Sequence, residues 1–240
     1  MALATRPIAS RSRSASVLAS NGSRAASAQT SASRAASPSP SKVSKNARAS
    51  SAKPSISRSA PLNPASIAYG NVYFQQNNHS EDSFLFALNA LLGAQVWSAP
   101  FAAQWGQYYA PAVADGKVFI VGGYYDGMYG FDAARGRQLW FAQLPQNDSW
   151  TPAYSGGAVY SLVSGILKSW NPRIGAEAWA VDSGCDWEFC SMNRIASIAG
   201  NTAYFTTQRM GGSPLSAVDL VSRREKWRVA GDFIGTPAVA

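Results

Sequence analysis

Four times between Ala87 and Trp227 the chain writes one phrase, AxDxxxGxxxW, and its period constrains the fold more than any other feature. The copies run from Ala87 through Asn89 and Gly93 to Trp97, from Gly130 through Asp132 and Gly136 to Trp140, from Ser169 through Asn171 and Gly175 to Trp179, and from Ala217 through Asp219 and Arg223 to Trp227. The tryptophans fall 43, 39 and 48 residues apart. That is the period of a four-stranded propeller blade, and the intervening text lacks the 3.6-residue pattern of helical repeats.

Each repeat reads as strand, turn, strand, turn, strand. In the second, the pieces Pro111–Gly123, Gly127–Asp132 and Gly136–Ala142 hold runs of four to seven residues rich in Val, Ile, Tyr, Phe and Trp, bounded by Gly or Asp. The predicted fold over residues 63–240 is therefore all-β, a partial β-propeller of about four four-stranded antiparallel blades. The phrase fits the hairpin joining the last two strands of a blade. An Asp or Asn at its head accepts hydrogen bonds from amides two or three residues on, and Pro172 suits the second position of a type I turn. Gly93, Gly136 and Gly175 supply the left-handed backbone that returns the chain. Arg223 holds that position in the fourth copy, so either it takes positive φ at a cost of about 1 kcal/mol or that turn differs. Trp97, Trp140, Trp179 and Trp227 share one pleat face, and a structural docking role is expected of them, packing between neighbouring sheets with the indole N–H on a carbonyl.

Charge divides the chain differently. Residues 1–60 hold ten Lys or Arg, no Asp or Glu, 18 Ser and 15 Ala, whereas the rest holds eleven basic and thirteen acidic residues. The net charge of +8 thus resides in a predicted disordered tail, residues 1–62, too poor in apolar residues to fold. Its Arg/Ser-rich, acid-free text is also that of an organellar transit peptide, and nucleic acid is not an expected partner of the body. No run reaches the length of a membrane span. Cys185 and Cys190 are too few for a structural zinc site and leave a local disulfide and two free thiols both open. His79, near Glu81 and Asp82 in a polar insertion, reads as solvated rather than as a metal ligand.

The phrase resembles the tryptophan-docking motif of the quinoprotein, or PQQ-like, β-propeller repeats, over residues 65–240. The resemblance implies a structural clasp for the tryptophans and two classes of function: cofactor-free scaffolds, and dehydrogenases of alcohols or sugars holding pyrroloquinoline quinone and Ca²⁺ on the propeller axis. The dehydrogenases carry adjacent cysteines in a vicinal disulfide with Glu and Asn calcium ligands. Here the cysteines stand five positions apart, with Asp186, Glu188 and Asn193 around them. No cofactor and no metal are expected, PQQ and calcium entering only under the dehydrogenase alternative. Family propellers close with seven or eight blades, so four repeats imply a fragment or a ring completed by self-association through an open edge. Gly235–Ala240 moreover repeats the text of Ala110–Ala114. The family implies a periplasmic or extracellular setting.

Trp105, Tyr108 and Tyr109 lead into the second blade, and Tyr124 and Tyr125 form a turn within it. On a propeller face these aromatics would bind a protein segment or a carbohydrate; in the core they are packing. The expected function is a non-catalytic binding or scaffold module.

Overall fold

The computed structural model describes residues 63–77, 80–104, 109–123, 125–146, 150–187 and 190–239, together with Ile56. The predicted tail, residues 1–62, lies outside the described residues apart from Ile56. Sixteen strands form four antiparallel meanders of four. Blade 1 holds β1 (Ser66–Ala68), β2 (Asn71–Gln76), β3 (Ser80–Asn89) and β4 (Gln95–Ala103). Blade 2 holds β5 (Ala112–Ala114), β6 (Lys117–Val121), β7 (Gly127–Asp132) and β8 (Gln138–Gln143). Blade 3 holds β9 (Ala153–Ser155), β10 (Ala158–Val163), β11 (Ile166–Trp170) and β12 (Glu177–Asp182). Blade 4 holds β13 (Ser197–Ala199), β14 (Thr202–Thr206), β15 (Leu215–Asp219) and β16 (Arg224–Val229). The three-residue first strands of successive blades meet one another, β1 with β5, β5 with β9 and β9 with β13, which places them innermost.

The register explains the whole phrase. Its first residue pairs directly with its tryptophan across the last two strands: Ala87 with Trp97, Gly130 with Trp140, Ser169 with Trp179 and Ala217 with Trp227. A small residue is required there because the indole lies across the strand; a Cβ added at Gly130 would overlap the Trp140 ring. A register shift follows immediately in every blade. The turn then closes on the acid or amide: Asn89 Oδ1 accepts from the Leu91 and Leu92 amides, Asp132 Oδ1 from Ala134 and Arg135, and Asp219 Oδ1 from Val221 and Ser222. Gly93, Gly136 and Gly175 have φ of +66°, +69° and +66°, and Arg223 follows at +58°. The Ser222 amide above all, then its hydroxyl, holds the Asp219 carboxyl below the ordinary value of 3.8. Its contribution to stability is therefore present above that value and disappears as pH falls through the lowered one.

Between blades the tryptophan of one sheet lies on the turn of the next. The Trp97 indole covers Gly136 and donates to Ala133 O at 2.9 Å, and the Trp140 indole covers Gly175 and donates to Pro172 O at 3.0 Å. Both rings are under 10% exposed, and one apolar cluster runs through blades 1 to 3, with Trp97, Phe119, Trp140 and Trp170 in it. A second cluster, including Tyr160, Leu167, Phe205 and Val218, joins blades 3 and 4. At that junction the Arg223 guanidinium stands 5.8 Å from the Trp179 ring centroid, taking the glycine's place with a cation–π contact.

These turns separate backbone strain from inter-blade packing. A Cβ at Gly93 meets nothing within 4 Å, whereas at Gly136 it would lie 2.5 Å from the Trp97 ring. Gly93→Ala should cost only the left-handed strain, about 1 kcal/mol. Gly136→Ala should add overpacking, for a total of about 2–4 kcal/mol in urea denaturation. Equal losses at the two sites would contradict the packing account.

Candidate functional site

An antiparallel meander puts its first and third turns on one face of the ring, and its second turn and the connection to the next blade on the other. The four motif turns share the first face, and there side chains and amides satisfy one another locally. The opposite face carries the aromatic loops. Tyr109, in the connection to blade 2, is half-buried and donates its hydroxyl to Asn193 Oδ1 at 3.1 Å, reaching the connection between blades 3 and 4. Tyr125, between β6 and β7, is 70% exposed. No ring contact joins these two tyrosines among the described residues. Trp105, Tyr108, Tyr124 and His79 lie outside the described residues.

Buried polar side chains pin this face. Asp126, 5% exposed with φ of +76°, accepts the Gly127 amide on Oδ1 and the Trp150 indole on Oδ2 at 3.0 Å, and Gln143 Nε2 donates to its carbonyl. Gln75 crosses from blade 1 to donate to Val121 O at 2.8 Å. A charge-assisted donor offsets much of the cost of burying the Asp126 carboxylate. The sequence gives little warning of Trp150, which lies outside the repeated phrase and is almost wholly buried.

The cysteines form a disulfide, Cys185–Cys190, closing a loop on the same face. Four contacts fix that loop and the residue after it to their neighbours. Gly165 packs under it so closely that a Cβ would overlap Cys185 Sγ, while the Gly165 amide donates to Ser191 Oγ at 3.0 Å. The Gln208 amide donates to Cys190 O at 2.7 Å, and the Met210 amide to Asp186 Oδ2 at 2.7 Å.

Beside the loop is a cavity of about 280 Å³ lined by Arg209, Met210, Pro214 and Arg228. Arg209 lies across Gly184, which has no side chain to obstruct it, and its buried Nε has no partner among the described residues. Arg194, 9% exposed, likewise has an unpartnered Nε, and its Nη2 reaches only Ser213 Oγ at 3.4 Å. Arg228 pairs with Glu225 and donates to Ser183 O at 2.9 Å. Met210 in the cavity lining is exposed, as are Trp187 and Met192 in the connection between blades 3 and 4. Sequence reading missed these arginines because Gly211-Gly212 marks only a turn, and nothing local shows that Arg228, near the end of β16, shares a cavity with Arg209.

The same geometry tests the quinone and calcium alternative. No group of three His, Cys, Asp or Glu side chains converges among the described residues. Asp186 accepts the Met210 amide, Asn193 accepts Tyr109, and the disulfide spans five positions instead of linking adjacent residues. Of the three residues named around the cysteines, Asp186 and Asn193 thus hold protein partners, and Glu188 lies outside the described residues. No helix among them is long and apolar enough to cross a membrane.

Residues 81–233 match the model of a protein family described as outer membrane protein assembly factor BamB. Among solved structures the fold is similar to BamB from Moraxella catarrhalis, with a TM-score of 0.58 at 15% identity over 72% of this chain and 51% of that one. It is similar to a europium-containing methanol dehydrogenase, with a TM-score of 0.52 at 15% identity over 70% and 42% of the respective chains. A computationally designed protein, Ika4, gives 0.51 at 14% identity over 66% and 92%. The chain spans about half the length of the first two. Such identities establish a shared fold and leave activity to the site. No curated protein sequence matches the chain.

The Asp126–Trp150 pair provides a direct check on how the face is held. Trp150→Phe removes the indole donor from a buried carboxylate and should cost about 1.5–3 kcal/mol in urea denaturation, with cavity effects small because the ring is largely retained. A loss under about 0.5 kcal/mol would show that the pair does not hold the loops.

Proposed function

The chain belongs to the PQQ-like propeller family described as outer membrane protein assembly factor BamB, and we propose that it acts as a non-catalytic binding scaffold for an extended protein segment. The observation that carries this reading is the contrast between the two faces. Amides and side chains satisfy each other in the motif turns, while the opposite face holds Arg194 and Arg209, whose Nε groups have no partner among the described residues, and a cavity with exposed Met210 in its lining. Unpaired buried donors beside an exposed Met suit a segment that brings a carboxylate and apolar side chains together. The matching family is described as an outer membrane protein assembly factor, which agrees with a protein ligand.

Peptides of alternating apolar residues, ending in a free carboxylate or in an amide, probe this face by fluorescence anisotropy. The carboxylate peptide should bind more tightly, and Arg209→Ala should weaken it by about ten- to a hundredfold, the worth of one charge-assisted contact. Equal binding of the two peptides, unaffected by Arg209→Ala, would refute the assignment. Oligosaccharide binding abolished by Tyr125→Ser, without loss of stability, would instead favour a carbohydrate ligand stacked on that exposed ring. Dye-linked oxidation of alcohols or sugars after reconstitution with pyrroloquinoline quinone and Ca²⁺ would overturn the non-catalytic reading.

A further inference from the structure

The turn joining the first two strands takes its leading residue into positive φ in every blade: Tyr69 at +51°, Asp115 at +50°, Gly156 at +57° and Gly200 at +54°. Gly and Asp suit that conformation, whereas a bulky aromatic there is an outlier. Tyr69 is also 58% exposed, so burial of its ring does not offset the strain. Its hydroxyl accepts the Gly116 amide at 2.9 Å, and the side chain lines a cavity of about 200 Å³ at the junction of blades 1 and 2. Asn71 and Tyr73 of blade 1 and Asp132 and Ala134 of blade 2 line it as well. Hydrogen bonds leave particular groups open around this space. Asn71 Nδ2 donates to the Tyr73 hydroxyl at 3.3 Å, which donates in turn to Ala133 O at 3.2 Å, and Asn71 Oδ1 has no partner among the described residues. Asp132 Oδ1 takes two turn amides, while Oδ2 has no partner among the described residues. The proton of the Tyr69 hydroxyl has no acceptor there either. At the next junction the positions of Tyr69 and Asn71 hold Asp115 and Lys117, which satisfy each other at 2.9 Å.

We propose that the junction of blades 1 and 2 is a carbohydrate subsite, in which one pyranose ring lies against Tyr69 and bonds its hydroxyls to Asp132 and Asn71. The open groups select this class of ligand. A sugar hydroxyl both donates and accepts, which matches the two acceptors, Asp132 Oδ2 and Asn71 Oδ1, and the one donor, the Tyr69 O–H. An ammonium group only donates and leaves that phenol unmet; an aliphatic chain leaves all three unmet. The exposed Tyr69 ring offers an apolar surface to the C–H side of the sugar. A cavity of this size falls below the roughly 300–1,000 Å³ of drug-sized sites, so it takes one ring and not several. Strain held at Tyr69 without compensating burial is the mark of a position kept for binding at the expense of stability. The subsite lies on the motif-turn face, apart from the Arg209 cavity, and does not depend on the peptide-binding role proposed above.

Ligand-observed NMR of the full chain with the methyl glycosides of glucose, galactose and mannose tests the proposal. At least one should bind with a Kd on the order of millimolar, the range open to a single ring. Two substitutions borrow residues that other blades already use, so the turns they alter should survive. Tyr69→Gly gives blade 1 the residue of blades 3 and 4, and Asp132→Asn gives blade 2 the residue of blades 1 and 3. Each should weaken binding at least about tenfold, the worth of one well-placed contact. Tyr125→Ser, on the opposite face, should leave it unchanged. Far-UV circular dichroism and thermal melting establish that each variant is folded, and Tyr69→Gly should not lower the melting temperature, because it relieves the strain. Binding by none of the three glycosides, binding that withstands either Tyr69→Gly or Asp132→Asn, or binding removed by Tyr125→Ser would each overturn the proposal.

Discussion

An indole laid on a bare backbone turn is the contact on which this architecture rests. A blade alone is a small sheet with an apolar face on either side, and it gains a core only by lying against another blade. Trp97 and Trp140 each contribute a large buried ring to that stacking, and each has its one polar atom satisfied by a carbonyl of the receiving turn. The contact needs a position without a side chain, and the tight turn needs one that tolerates positive φ. A single glycine meets both demands, so Gly136 and Gly175 are fixed by two unrelated causes.

Arg223 shows what happens when one demand is relaxed. Its backbone takes the same left-handed conformation, at +58°, and its guanidinium then occupies the space that the bare backbone would leave beneath Trp179. The ring is only partly buried there. Attraction between a cation and the ring face partly offsets the strain and the looser packing.

The repeated phrase made the blades legible because it contains both members of a local pair, the tryptophan and the small residue directly across the hairpin, in one eleven-residue window. Strand boundaries followed from Gly, Asp and Asn at the turns. The binding face was much less legible. Tyr109 and Tyr125 could be placed on loops, but the groups lining the cavity come from two segments, Arg209 to Pro214 and Arg228 to Gly231. Their convergence depends on the closure of the meanders and on pairings such as Asp186 with the Met210 amide, separated by 24 positions. The sequence left the state of the two cysteines open. What pairs them is a loop fold set by Gly165, in the β10–β11 turn of the same blade, and by Ser191 beside Cys190.

Rigid blades and variable loops divide the labour in a familiar physical way: regular strands satisfy their backbone internally, and the connections are free to carry recognition groups. If the indole-on-glycine contact is the source of that rigidity, Trp97 and Gly136 must behave energetically as one unit. A double-mutant cycle in urea with Trp97→Leu and Gly136→Ala measures this directly. The account predicts that Gly136→Ala costs about 1–2 kcal/mol less once the indole is gone, because the overlap has been removed and only left-handed strain remains. Strict additivity of the two substitutions would contradict it.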